Sequence, residues 1–221
     1  MLKSYQNLVM LQNLYRLKAL GFTYSDPFMT NRPTAVQELP HDLSALHEFI
    51  SQCHLCDLSK SRQQSMPGSG DLSADLMIID AYVSTTEDAT NSYYAGKSGE
   101  SLAKMVENVL RLRREDVFMT HAVKCKPLGT NKPSSSEFSC CKPYLYRQIE
   151  MIRPKVVMTL GEEAYKLLSG DDTDFEHVRG QKINFGDYTI IPIYHPQFLL
   201  RNPSLKGETL NDLKTIKSAL S

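Results

Sequence analysis

The sequence carries no surplus of either charge: 25 Lys and Arg stand against 25 Asp and Glu in 221 residues. No whole-molecule field draws the chain to a polyanion, so affinity for nucleic acid has to come from a local basic patch. Nowhere does an uncharged apolar run approach the ~20 residues that span a bilayer, and residues 1–7 hold no apolar run of the secretory kind. The expectation is a soluble protein that is not secreted. Cysteine is sparse, five in all and odd in number. That excludes a disulfide-built scaffold and points to a reducing compartment, the cytoplasm.

The few cysteines are patterned. Two residues separate Cys53 from Cys56, 68 lie between Cys56 and Cys125, and 15 between Cys125 and Cys141. Cys53 and Cys56 sit among His54, Asp57, Ser59, Lys60 and Arg62 rather than in an apolar stretch. They therefore read as ligands of a soft metal more readily than as core thiols. Four sulfurs suit tetrahedral zinc or an iron–sulfur cluster, and spacing does not separate the two.

Along the chain, Leu2, Tyr5, Leu8, Leu11, Tyr15 and their neighbours recur at helical steps up to Gly21. Residues 22–40, with three prolines and no period, follow as a linker. Residues 1–40 thus read as an N-terminal extension to a domain over 41–221. Asp42 is a candidate cap for a short helix that delivers the chain to Cys53, and Gly68 to Gly70 form a turn. Apolar runs at 74–80, 116–123, 155–160 and 188–193 read as strands. Helical patterns at 99–112, 133–152 and 162–168 separate them, 181–193 forms a hairpin about Gly186, and 207–221 is a terminal helix. Residues 81–97 have no period and read as a polar loop. Strands alternating with helices give βαβ units, a parallel sheet and helices on both faces. Function in such folds gathers beyond the carboxyl ends of the strands. That rule selects Asp80, Ala81 and Tyr82, then His121, then Tyr194, His195 and Pro196.

These residues resemble a known family. The cysteine arrangement, Glu87-Asp88, Gly96 to Gly99, Val123 to Pro127, Cys141 to Leu145 and Tyr194 to Pro203 are similar to the iron–sulfur uracil-DNA glycosylases of the family-four type, from about Cys53 to the C-terminus. The resemblance implies a three-layer α/β/α fold with a central four-stranded, mainly parallel sheet. It also implies a 4Fe–4S cluster on Cys53, Cys56, Cys125 and Cys141, a DNA partner, no membrane, and a monomer. Cys140 and Cys141 compete for the fourth place, and the family's cysteine two residues before proline, with one residue between, selects Cys141.

The site departs from the family. Asp80 to Ser84 lie where the family reads Gly-Glu-Ala-Pro-Gly, so Ala81 takes the place of the acid associated with the attacking water, and an alanine neither ionises nor accepts a hydrogen bond. Asp80 offers a carboxylate one position earlier, but successive strand residues face opposite ways, so alternation turns it from the pocket unless the backbone slips. His121 replaces an asparagine, and an imidazole cannot present a donor and an acceptor side by side as an amide does. It reads equally as a structural histidine. By the resemblance Tyr94 would stack on a flipped base, and His195 would donate to the base oxygen as negative charge collects there. The plainer readings are a packing tyrosine and a turn-capping histidine. Leu199 and Leu200 are placed to wedge into a base step and Arg201 to hold a phosphate, or the leucines simply pack. Three functions compete: a base-flipping glycosylase weak on uracil or redirected to another base, an iron–sulfur DNA-binding module without excision, and a redox or partner-docking role that uses the N-terminal helix. Full family-four activity on uracil is the alternative to the first.

Overall fold

A computed structural model describes residues 39–129 and 132–220. The N-terminal helix and linker expected over 1–40 lie almost entirely outside the described residues. From Pro40 onward the chain forms one compact unit. Among the described residues no helix is long and apolar enough to cross a membrane.

Helix α1 (Leu43–Ser51) starts where the Asp42 carboxylate accepts the Ala45 N–H, as its position before an apolar periodic run requires. A 3₁₀ turn over Asp57–Lys60 and the short strand β1 (Ser69–Gly70) follow. Next come β2 (Leu76–Tyr82), α2 (Thr85–Thr90), and α3 (Gly96–Lys104) running into a π-helical turn, Met105–Leu110. After β3 (Phe118–Val123), α4 (Ser135–Ile152) opens on a capping box between Ser134 and Glu137. The chain then runs through β4 (Val156–Leu160), α5 (Gly161–Ser169), α6 (Phe175–Val178), the hairpin β5 (Ile183–Phe185) and β6 (Tyr188–Ile193), α7 (Pro196–Arg201) and α8 (Lys206–Leu220).

Among the described residues the sheet has six strands in the order β1-β3-β2-β4-β6-β5. Its centre is the expected set of four parallel strands, β3, β2, β4 and β6. The two strands added to that expectation are short antiparallel edges: β1 along β3 and β5 along β6. β1 occupies the expected turn at Gly68 to Gly70, where the chain is too short for its pairing to show as a sequence period. One face of the sheet presents Leu76, Ile78, Met119, Met158 and Ile191, buried against Leu102 and Val106 on one side and Leu213 and Ile216 of α8 on the other. Met77, Ile79 and Val157 on the opposite face are fully buried, and α4 and α5 pack on β3, β2 and β4. Two covered faces explain why the strands read as continuous apolar runs rather than alternating ones.

Two boundaries differ from the sequence pattern, and both shape the site. β2 runs two residues past Asp80, because Asp80 and Tyr82 still pair with His121 and Val123 of β3. Residues 81–97, expected as loop, contain all of α2, six residues long and opened by a capping box between Ser84 and Glu87. A helix this short carries too few apolar positions to show a period.

Candidate active site

A cavity of about 430 Å³ opens beyond the carboxyl ends of the parallel strands, where the topology predicts it. Its wall includes Asp80, Ala81 and Tyr82 of β2, Glu87 of α2, Tyr93, and His195 at the start of α7. Gly161 closes one side with φ +81°, and a Cβ there would meet the His195 Cβ at 3.1 Å. Glycine at the β4–α5 turn therefore permits both the left-handed turn and the approach of the His195 loop.

Asp80 enters this cavity without any slip of the backbone. In parallel strands paired residues project to the same face, and Asp80 pairs with His121. Leu76 and Ile78 precede it on that face, and Ile191 and Ile193 lead to His195 on the same side. Alternation therefore gathers Asp80, His121 and His195, correcting the expectation that it turns Asp80 away. The Asp80 Oδ2 lies 3.0 Å from His195 Nε2, and Oδ1 accepts the Ala81 N–H at 2.7 Å. His195 Nδ1 accepts the Gln197 N–H at 3.1 Å and so caps α7. The ring proton therefore sits on Nε2 and is donated to Asp80. Burial opposes both charges, but each partner outweighs it: His195 holds the Asp80 carboxyl below its ordinary pKa, and Asp80, helped by Glu87, holds His195 above its own.

His121 is fully buried and is not part of the cavity wall. Its Nε2 is 3.2 Å from Glu87 Oε1, its Nδ1 has no hydrogen-bond partner among the described residues, and Tyr93 stacks on it with ring centroids 5.4 Å apart. Glu87 and Tyr93 both touch His121 and both line the cavity. The histidine thus faces the cavity only through them. The Glu87 Oε2 accepts the Ser84 N–H at 2.8 Å, and His121 with Ser84 holds its carboxyl below the usual pKa although burial pulls the other way. Sequence reasoning gave Glu87 no role. The signal that finds it is the Ser84-x-x-Glu87 capping box, which fixes the carboxylate at the first turn of a helix.

The aromatic position also shifts by one residue. Tyr94 does not line the cavity; Tyr93 does. Tyr94 packs against the hydrophobic core, with the Arg114 guanidinium over its ring at 5.3 Å, and lines a separate surface depression. Burial pushes its hydroxyl up to about 12. Gly99 sets this arrangement, since a Cβ on it would lie 2.1 Å from the Tyr94 carbonyl carbon. Ala81, 5% exposed, contributes no ionisable group to the wall, and the half-buried Tyr82 has its hydroxyl pKa raised by burial.

On α7, Leu199 is 1% exposed and packs inward, so it is not a free wedge. A six-residue helix lying against the protein must bury one side. Phe198 and Leu200 are the exposed apolar residues there, and Leu200 reaches the cavity wall. Arg201 is exposed at the helix end.

A second, small pocket is lined by all five cysteines together with Arg62, Lys124 and Tyr144. Arg62 donates to the Cys125 sulfur at 3.0 Å and to the carbonyls of Ser51 and Cys53 at 3.0 and 2.9 Å. The Tyr144 hydroxyl donates to the Cys53 sulfur at 3.4 Å. Burial raises the Cys125 thiol, and it pushes Cys141 up to about 12 against the backbone N–H of Lys124. Cys141 is buried, whereas Cys140 is half-exposed and donates to the Leu55 carbonyl at 3.5 Å. Among the described residues no three His, Cys, Asp or Glu side chains are gathered to hold a single metal ion. Asp88 joins this region to the cavity: it is 2% exposed and accepts the backbone N–H of Gln63 at 3.1 Å, which fixes the segment after Arg62 against α2.

Comparison with known proteins supplies the wider setting. The family model described as the uracil DNA glycosylase superfamily matches residues 67–214. The type-4 uracil-DNA glycosylase of Saccharolobus solfataricus is 33% identical over 188 residues, covering 81% of this chain and 87% of that protein. The type-4 enzyme of Thermotoga maritima is 31% identical over 180 residues, 80% of this chain and 93% of its own. A type-5 uracil-DNA glycosylase of Pyrobaculum aerophilum is 29% identical over 167 residues, 67% and 73% of the two chains.

Proposed function

The chain belongs to the uracil-DNA glycosylase superfamily, and from that premise we propose that it binds DNA, takes a flipped base into the cavity at Asp80 and His195, and excises uracil poorly. One observation carries this reading. The neutral His195 ring, with Nδ1 accepting the Gln197 N–H, has a single donor, and that donor is given to Asp80 at 3.0 Å. A uracil entering the cavity would have to compete with a buried carboxylate for the proton that stabilises its oxygen as the glycosidic bond breaks. Loss of one such contact commonly costs about 10²–10³ in rate. The pocket also lacks an acid at Ala81, and His121 in the amide's place stands behind Glu87 and Tyr93.

In this reading Asp80 holds the imidazole in one tautomer and accepts the proton of a water that attacks the sugar. Glu87 fixes His121, and Tyr93 offers a ring to the base. Leu200 and Phe198 present apolar surface at the cavity mouth, and Arg201 pairs with a phosphate. The cysteine pocket fits an iron–sulfur group in its chemistry: every candidate ligand is sulfur, and Arg62 and Tyr144 already donate to Cys125 and Cys53. A 4Fe–4S cluster on Cys53, Cys56, Cys125 and Cys141 would tie the 53–62 loop, the segment after β3 and α4 into one unit.

The test is single-turnover release of uracil from single- and double-stranded DNA. Wild-type protein should release it slowly, and Ala81→Glu should raise the rate by adding an acid to the wall, whereas His121→Asn, buried behind Glu87 and Tyr93, should raise it little. Rapid uracil release by the wild type would overturn the reading.

A further inference from the structure

We propose that the base this cavity takes is positively charged, an N-alkylated purine such as 7-methylguanine, and not neutral uracil; this deepens the proposed function and rests on it. The wall carries the carboxylates of Asp80, Glu87, Glu162 and Glu163, four acids against Lys97 and the titratable His195. Glu163 and Glu162 are bridged outward by Lys132 and Lys166. Asp80 and Glu87 are not. They are the inner charges, with side chains 13% and 8% exposed, and among the described residues their ion-pair partners are His195 and His121.

A carboxylate is an acceptor only, and each of its oxygens has two lone pairs. Asp80 spends one on the Ala81 N–H and one facing His195, and Glu87 one on Ser84 and one facing His121. Each oxygen keeps capacity for a further donor. Uracil presents two carbonyl acceptors and one N–H donor along its edge, which is a poor match to two buried acceptors. An alkylated purine cation presents amino and ring N–H donors together with a delocalised positive charge. The Tyr93 ring supports the same choice from an independent direction, because an aromatic wall beside carboxylates is the arrangement that attracts organic cations. At about 430 Å³ the cavity lies within the ~300–1,000 Å³ range of small-molecule sites and has room for a purine.

The chemistry agrees with what this site has given up. When the bond between C1′ and a cationic base breaks, its electron pair enters the base ring and cancels the charge, so the base leaves neutral. No negative charge collects on a base oxygen, and a free His195 donor is not required. Water supplies the oxygen that bonds to C1′ and loses one proton, which Asp80 accepts. The positive charge that moves to the sugar in the transition state stays in the field of the same carboxylates.

Two measurements test this. The first is single-turnover release of 7-methylguanine and of uracil from otherwise identical duplexes, corrected for spontaneous loss. The expected result is 7-methylguanine released at least ten times faster, with Asp80→Asn and Glu87→Gln each removing most of that advantage. The second uses wild-type protein alone and so does not depend on whether a variant folds: binding to non-cleavable 2′-fluoro DNA carrying 7-methylguanine or guanine, where the cation should bind about tenfold more tightly. Faster release of uracil would overturn the charge assignment and leave an excising enzyme standing. Tighter binding of the cationic base without release would support the charge assignment and remove excision. Equal binding of the two DNAs with release of neither base would overturn both.

Discussion

Asp80→Asn is the perturbation whose consequence follows most directly from the geometry. The Asp80–His195 pair is largely shielded, with side chains 13% and 27% exposed and a separation of 3.0 Å. A hydrogen bond to a charged group contributes about 1.5–3 kcal/mol and a neutral one about 0.5–1.5. Asparagine keeps an acceptor for the His195 N–H but not the charge. The pH dependence follows from the two shifts. Asp80 is held below its ordinary pKa, so its contribution is present above the unfolded value near ~3.9 and is lost as pH falls through the folded one. His195 is held above its ordinary pKa, so its contribution is complete below the unfolded value near ~6.5 and is lost as pH rises through the folded one. The ionic part of the pair is therefore fully present only between roughly pH 4 and 6.5. At pH 5.5 the substitution should cost about 2–3 kcal/mol, and the cost should fall toward about 1 kcal/mol as pH rises through the folded pKa of His195, above which only the carboxylate's hydrogen bond to neutral imidazole is weakened. At roughly 2–4 °C per kcal/mol for a protein of this size, the midpoint should fall by about 4–12 °C at pH 5.5 and by less, toward about 2–4 °C, at pH 8.5. Thermal unfolding of wild type and variant at the two pH values checks it. An equal loss at both, or a larger loss at pH 8.5, would refute the pairing.

Protein purified without oxygen should contain iron and acid-labile sulfide. Cys141→Ser should lose both while Cys140→Ser keeps both, because Cys141 is buried and Cys140 is half-exposed and turned to the Leu55 carbonyl; equal loss in the two would show the wrong ligand had been chosen. Arg62→Ala should speed iron loss to a chelator several-fold, since it removes the donor to the Cys125 sulfur and the tie to the Ser51 and Cys53 carbonyls; unchanged loss kinetics would contradict that role. Arg201→Ala should weaken binding to all DNA sequences alike and lower the slope of log K against log salt by about one, as expected for one phosphate contact; an unaltered slope would take Arg201 out of the interface.

The sequence by itself determined the parallel four-stranded centre, the helices between its strands, and the end of the sheet where the cavity opens, because buried strands and capped helices leave contiguous local patterns. It also carried the cysteine spacing and the absence of an acid at Ala81, which are matters of residue identity. What it did not determine was which neighbour faces the cavity. Asp80 rather than Ala81 supplies the carboxylate because β2 pairs with β3 through Asp80 and His121, and register between strands is a long-range property that no window of sequence contains. Tyr93 took the place expected of Tyr94, and Leu199 turned inward while Leu200 did not, because a one-residue step on a short segment is decided by what packs behind it: Gly99 behind Tyr94, and the body of the protein beneath α7. The part played by Glu87 likewise appears only once a six-residue helix is folded against β3. Hydrophobic pattern is written into consecutive residues, whereas the meeting of Asp80 with His195, 115 positions away, exists only when the sheet has brought its carboxyl ends together.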